Sequence, residues 1–453
     1  VCKGAAHTTF RKDPTVRFAV IGAGIAGLAS ARLLQQQGHV VTLYEANDYL
    51  GGHSCTVDVT LEGTTAPVDT GFLVFNDRTY PRLIALFDEL GVQSTASEMS
   101  FSVRVDNQNL EWSGTDLPGL FAQPRNALRP AFWRMLADLM RFNRDATLLA
   151  TRTPAPDHDA AEPAPGQDIT LGEYLVRERY STPFRDWYLI PMAAAIWSSP
   201  RTSVENFPLL SFVRFCHNHG LLQIANRPQW RTVSGGSRTY VARIAAGLPD
   251  VRIGTPVLAV RRDVGAAAGA VAVTTARGTE TVDGVVLACH SDQALALLAD
   301  PGAEEQRLLG AVAYQANDVW LHTDARLLPR ARRAWSAWNY LSAADPAGLR
   351  PVAVSYLINK LQPLPFSTPV IVSLNPPFEP QPSRVLRRMV AWHPLLDAAA
   401  VAAQSGFAQL QGQRNTWYAG AWLGYGFHED GLRSAHAVAE HVLHHARPPA
   451  TRG

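Results

Sequence analysis

Lysine is almost absent: Lys3, Lys12 and Lys360 are the three in 453 residues, and arginine carries nearly all the positive charge. With 41 basic and 39 acidic residues the formal net charge is +2, which excludes the concentrated basic footprint of a nucleic-acid binder. Cysteine is scarce too. Cys2, Cys55, Cys216 and Cys289 are scattered without a CxxC pair. No zinc site, dithiol centre or disulfide framework is therefore expected, and a reducing, cytoplasmic setting fits. No apolar run is long enough to cross a bilayer. The opening stretch "VCKGAAHTTFRKDP" lacks a signal-peptide core and reads as a flexible lead, 1–16, outside the fold. What is plentiful is apolar material, 47% of the chain, enough for two or more domains with large cores.

The first informative stretch is "RFAVIGAGIAGLASARLLQQQGHVVTLYEANDYLGGHS". It reads as strand, tight glycine turn, helix, strand and acid. Gly22 permits the turn, Gly24 admits a pyrophosphate close to the backbone, and Gly27 lets the helix pack on the strand. The helix N-terminus then faces phosphates, and Glu45 sits where ribose hydroxyls need an acceptor. A bare GxGxxG would be weak. Here the whole context is present, and a dinucleotide site is expected.

Further along, a helix is expected at "YPRLIALFDELG" and another from Gln123 to Arg152, followed by a Pro/Ala-rich loop at 151–167. "VRIGTPVLAVRRD" reads as a strand pair, and "VAVTTARGTETVDGVVLAC" as a hairpin followed by a buried strand. Alternating apolar patterns from Tyr314 to Pro376 suggest a sheet, and the chain closes with a strand, "NTWYAGAW", and a helix. Nucleotide-binding signals thus stand at the start, in the middle and at the end. The expected fold is α/β: a Rossmann-like domain built from 17–78, 230–300 and 406–453, with an α+β substrate domain inserted as 79–229 and 301–405.

Three signatures in this order resemble the FAD-dependent amine oxidase, phytoene desaturase and protoporphyrinogen oxidase superfamily. They are the long opening motif with Gly51-Gly52, "SGGSRTYVARIA", and "WYAGAWLGYGFHEDGLRSAHAVAE". The resemblance implies FAD, with Gly51 and Gly52 wrapping its pyrophosphate and Val257 in the strand that reads adenine. His53 stands where that superfamily usually has arginine. Gly420 belongs to its Ala-Gly pair, and Ala421 replaces a common acid, so Glu429 or Asp430 is expected at the ribityl chain. Amides near Gly431 and Leu432 are expected to face the flavin N1/C2-carbonyl edge, where a helix N-terminus favours the anionic reduced ring. More narrowly, "VDTGFLVFN", "SYLINKLQPL" and "GYGFHEDGLRS" resemble a bacterial branch of predicted NAD/FAD-binding proteins that includes the flavoprotein desaturase of furan fatty acid synthesis. That likeness implies hydride transfer from a substrate carbon to flavin N5, desaturation of a phospholipid-bound, methylated acyl chain, and a fatty-acyl methyltransferase as partner.

The superfamily's amine oxidases place a lysine near the flavin on a strand matching "AYQANDVWLHTD", which has Asn317 and Asp318 and no lysine. This counts against the alternative of an amine oxidase. A third alternative is a non-catalytic flavin-bound lipid-binding or methyltransferase-partner protein. Desaturation needs a base as well, and His428, Tyr425, His53 and Glu429 are the candidates. Trp197, Tyr356 and Asn359 read either as pocket lining or as packing. The run 129–144 combines Phe132, Trp133, Met135, Leu136, Leu139, Met140 and Phe142 with Arg129, Arg134, Arg141 and Arg144. Two readings stand: an interfacial helix on the inner face of the cell membrane, or a core-facing helix with a solvated basic face. His441, His444 and His445 read as a solvated helix end rather than a metal site.

Overall fold

The computed structural model describes residues 15–152, 169–223, 226–264, 269–342 and 352–445. The expected lead falls outside these residues apart from its last two positions, and the expected Pro/Ala loop apart from its first two. At the centre of the nucleotide-binding half lies a five-stranded, all-parallel sheet. Its order is Asp250–Arg252, Val40–Tyr44, Arg17–Ile21, Gly284–Leu287 and Thr416–Tyr418. The two central strands are buried on both faces, which is why "FAVI" and "GVVL" are continuous apolar runs rather than alternating ones. Strands distant in sequence meet here, so the start, middle and end of the chain build one sheet. Val257–Arg261, Val271–Thr275 and Gly278–Val282 form a separate antiparallel sheet beside it.

The other half is organised by a seven-stranded sheet. Its order is Val385–Leu395, Ala313–His322, Ile371–Leu374, Ala353–Leu357, Trp338–Ser342, Phe101–Val105 and Leu110–Ser113. Only Trp338–Ser342 with Phe101–Val105 is parallel among these pairs. In the long edge pair Gln315 lies opposite His393 and Asn317 opposite Ala391. Helices between 130 and 218 bury an aromatic core in which Phe142, Tyr174, Phe184, Trp197, Phe207, Phe212 and Phe215 pack together.

The helix Pro130–Arg152 divides its apolar residues between two sides. Phe132, Met135 and Phe142 enter the core, whereas Trp133 is 52% and Met140 55% exposed. The stripe at spacings of three and seven faces inward, as in the core-facing reading, and a second, shorter stripe faces out. Leu128, 85% exposed, and Leu117, 71% exposed, add to the outer set. Among the described residues no helix is long and apolar enough to cross a membrane.

Candidate active site

The glycine turn is shaped by close approach. Gly22 takes φ +102°, and a Cβ on Gly27 would fall 1.8 Å from the Gly22 carbonyl oxygen, so the helix Ile25–Gln36 rests directly on the turn. Gly24 differs. It has ordinary extended backbone (φ −69°, ψ 179°), and a Cβ there meets nothing within 4 Å. Its bare face opens on free space at a helix N-terminus, which is the cradle a phosphate group needs. Gly51 closes the other side, its N–H donating to the Ala23 carbonyl at 2.9 Å, and Gly52 lies against Gly24.

Glu45 ends its strand buried, with Oε2 accepting from the Ala23 N–H at 2.8 Å and Oε1 from the Asn47 backbone and side-chain N–H groups. The carboxylate braces the glycine turn, and Oε2, with a single donor, retains lone-pair capacity for a ribose. Its carbonyl accepts from Thr255 N–H at 2.8 Å, which sets Val257 two residues further at the start of its strand.

The C-terminal helix His428–His445 packs its first turn on the first turn of Ile25–Gln36. A Cβ on Gly431 would lie 2.9 Å from Ile25 Cγ2, so two helix N-termini converge. Here one expectation is corrected. The Gly431 N–H already donates to the Phe427 carbonyl at 3.1 Å, so the amides a helix leaves unsatisfied are those of its first turn, His428 to Asp430, and not those of Gly431 and Leu432. The helix begins earlier than the motif suggests. Asp430 is turned back on that start, accepting from Phe427 N–H at 3.0 Å and from Arg433 at 2.9 Å, rather than reaching outward to a ribityl chain. Gly420, within the turn before the helix, accommodates the Trp422 indole where a Cβ would clash, and its N–H donates to Ser434.

The four candidate bases do not form one group. Glu429 accepts the Arg82 and Leu83 N–H groups at 3.0 and 3.1 Å, so it caps the helix Pro81–Leu90 and has no free oxygen aimed at a substrate. Burial raises its carboxyl, and those amides and Arg82 pull it back. His428 is buried, stacked on Phe72 at 3.7 Å, with Nε2 at 2.9 Å from both Ser54 Oγ and Tyr240 OH. Burial, with His53 nearby, pushes its imidazole down to about 3, so it is neutral and occupied. Tyr425 belongs to an aromatic wall: its carbonyl accepts from Trp197 Nε1 at 3.2 Å, and its ring stands 5.4 Å from Phe215. Phe207 and Phe215 pack on Trp197 at 4.9 and 4.7 Å, and Phe427 stacks on Phe215. Asn359 is corrected to a loop-holding role, since its amide is spent on Phe366, Thr368 and Val370. Tyr356 is buried edge-on to Trp338.

His53 is the exception. Its ring makes no hydrogen bond among the described residues and is solvent-accessible, and it faces a space, the chamber, that it shares with His393. Burial, with His290 nearby, pushes it down to about 4. His393 stands opposite, ring centroids 5.1 Å apart, and His290 stacks on Tyr314 at 4.3 Å. No motif pointed to His393, because only the cross-strand register brings it to this chamber. Lys360 is bound to Glu98 at 2.9 Å and is the one lysine among the described residues, so none faces the chamber. No cluster of three or more metal-ligating side chains occurs among the described residues, and His441 accepts from Trp417. A separate cavity of about 580 Å³, lined by Arg104, Arg326, Arg330, Trp335 and Phe378, contains none of these residues.

Comparison with known proteins agrees with this geometry. A flavin-containing monoamine oxidase by name, AofH of Mycobacterium tuberculosis, is 31% identical over 293 residues, covering 63% of this chain and 60% of that protein. A carotenoid phi-ring synthase of Streptomyces griseus is 30% identical over 329 residues, covering 67% and 59%. The chain thus spans about three-fifths of these relatives' length. In fold it is similar to a fatty acid isomerase from P. acnes (TM-score 0.66, 17% identity, 96% and 99% covered). It is also similar to putrescine oxidase bound to putrescine (TM-score 0.68, 15% identity, 95% and 100% covered). FAD is the cofactor of this fold family, and the open face of Gly24, the Gly51–Gly52 wall and Glu45 fit it. Residues 25–358 match the family described as flavin containing amine oxidoreductase, and the chain belongs to that family.

Proposed function

We propose that the protein is an FAD-dependent oxidoreductase that dehydrogenates a fatty acyl chain carried on phospholipid, a methylated chain being the preferred form. The observation that carries this reading is the aromatic wall around Trp197, joined to the His393 strand pair where Gln315, opposite His393, donates to the Ser198 carbonyl. Trp197, Phe207, Phe215, Tyr425 and Phe427 are aromatic, and the imidazoles His53 and His393 are held neutral, so a hydrocarbon chain would meet no charged group among them. A cationic amine would enter the same space with no carboxylate partner among these residues, an expensive desolvation.

The chain's residues divide the work. The glycine turn and the two helix N-termini hold the dinucleotide, Glu45 accepts from its ribose, and the aromatic wall excludes water and orients the alkyl chain. Bound FAD supplies the acceptor for a hydride from substrate carbon. The neighbouring carbon must lose a proton, and His53, whose ring makes no hydrogen bond among the described residues, is the candidate base.

Delivery from a membrane is part of the proposal. Leu117, Leu128, Trp133 and Met140 project outward, with Arg125, Arg129 and Arg134 beside them, the composition of a surface lying on an anionic inner leaflet. A fatty-acyl methyltransferase would supply the methylated chain. The test is turnover of liposomes containing methyl-branched or unsaturated acyl phospholipid, with mass spectrometry of the extracted chains. An acyl product lighter by two hydrogens supports the reading, and lipids unchanged over many flavin equivalents overturn it. The second reading, an amine oxidase, draws on the names of the similar amine oxidases and is separated by offering amines to the same preparation.

A further inference from the structure

Asn317 is fully buried, and every group around it has a fixed direction. Asn375 Oδ1 accepts from the Asp318 backbone N–H at 2.9 Å, and its Nδ2 donates to the Val352 carbonyl at 3.2 Å. Backbone atoms therefore settle which end of the Asn375 amide is which. That same Nδ2 donates to Asn317 Oδ1 at 2.7 Å. Gln315 Nε2 donates to the Ser198 carbonyl at 3.2 Å and to Asn317 Oδ1 at 3.1 Å. With its oxygen receiving two donors, Asn317 must direct its NH₂ the other way, to the Gln315 carbonyl at 3.2 Å and to His393 Nδ1 at 3.0 Å.

An amide NH₂ can only donate, so His393 Nδ1 must be an unprotonated acceptor, and in the neutral ring the proton must sit on Nε2. That Nε2 has no partner among the described residues, and it is absent from the sealed polar atoms that lack one. The atom is thus not sealed in protein, and the His53 ring stands 5.1 Å away, centroid to centroid.

We propose that Asn317 is a positioning residue that locks His393 in the Nε2–H tautomer, and that His393 is the uncharged hydrogen-bond donor of this chamber. Its ligand is an acceptor atom, on the isoalloxazine edge or on an ester carbonyl of the substrate. A neutral donor polarises such an atom without placing a full charge in an apolar site. The groups facing His393 are His53 and His290, from the segments after Gly52 and Cys289, and Asn317 from the paired strand. Burial and the two imidazoles push His393 down to about 3, so the donor persists through the neutral range. The tautomer assignment rests on the hydrogen-bond network alone and stands or falls independently of the acyl substrate.

The test is ¹⁵N NMR of histidine-labelled protein, without and then with FAD, from pH 5 to 8, with His393→Gln used to assign the signals. The expected result is an unprotonated Nδ1 and a protonated Nε2 for His393 across that range, with the Nε2 signal moving when the acceptor binds. A perturbation on adding FAD assigns the acceptor to the flavin, and one appearing only with phospholipid vesicles assigns it to the ester. No movement with either overturns the donor role. Asn317→Asp replaces the donor by a carboxylate, and should transfer the proton to Nδ1 and bring the imidazole's ionisation up into the measured range. An Nδ1–H ring in the wild-type protein, or an Asn317→Asp ring unchanged in tautomer, would refute the lock. If Asn317→Asp fails to fold, the wild-type signals alone decide.

Discussion

Gly24→Val separates cofactor binding from folding. Gly24 has backbone angles open to any L-residue, and an added Cβ meets no atom within 4 Å. Gly24 is also the helix N-cap, where valine is a poorer cap than glycine, so the apo protein should lose about 1 kcal/mol and no more. The valine methyls would occupy the space into which the pyrophosphate must come, so FAD is excluded by sterics. With FAD supplied about 1,000-fold above its dissociation constant, the wild-type gains about 4.1 kcal/mol from binding, and the variant should gain none of it. Gly27→Ala is the contrast, because its Cβ would sit 1.8 Å from a backbone oxygen and must displace the turn itself. The assay is bound-flavin absorbance per protein together with denaturant midpoints, with and without FAD. Wild-type flavin content in Gly24→Val would refute the placement of the pyrophosphate. An apo midpoint lowered as far as that of Gly27→Ala would refute the claim of open space.

Acid should destabilise the apo protein. The buried imidazoles His322 and His428 are pushed by burial to about 4 and about 3, against 6.5 for the free side chain. The unfolded chain thus takes up protons first, and stability falls as pH drops from 6.5 toward 4, by about 1–2 kcal/mol per group at pH 5. Denaturant midpoints equal at pH 7 and pH 5 would contradict this. Asp69 accepts from Thr56 Oγ1, from Ser237 N–H and Oγ–H, and from Gln362 Nε2, tying the hairpin 56–69 to both halves of the fold. Asp69→Ala strands those buried donors and should cost about 3 kcal/mol or more, read as a lower melting temperature. A Leu128→Ser/Met140→Ser variant, altering exposed positions, should stay folded with a near-native melting temperature and sediment with anionic liposomes on the order of tenfold less. Equal sedimentation would remove the membrane face from the account.

The dinucleotide unit was legible because its parts are local: strand, turn, helix and acid follow within thirty residues, and Gly27 and Glu45 act on neighbours in that unit, although Gly22 also makes room for the Ala288 carbonyl. The C-terminal helix was legible as an element but not to the residue. Its start is set by Asp430 folding back on the Phe427 N–H, which shifts the unsatisfied amides to His428–Asp430. Glu429 misled for the same reason that buried carboxylates often do: its partner, the N-terminus of Pro81–Leu90, lies far away in sequence. His393 was invisible, since "VAWHPLL" has no motif and acquires meaning only from facing Gln315 across two antiparallel strands. The helix 130–152 showed its apolar content but not its two sides, because residues at spacings of three and four can belong to either stripe until neighbours are known.

The most direct measurement is an anaerobic flavin spectrum of the FAD-loaded protein, recorded before and after adding acyl phospholipid vesicles, with a panel of amines in parallel. Bleaching of the flavin absorbance by lipid and not by amines is the result predicted here. Bleaching by an amine alone would contradict the account and show that the neutral, lysine-free chamber serves amine oxidation.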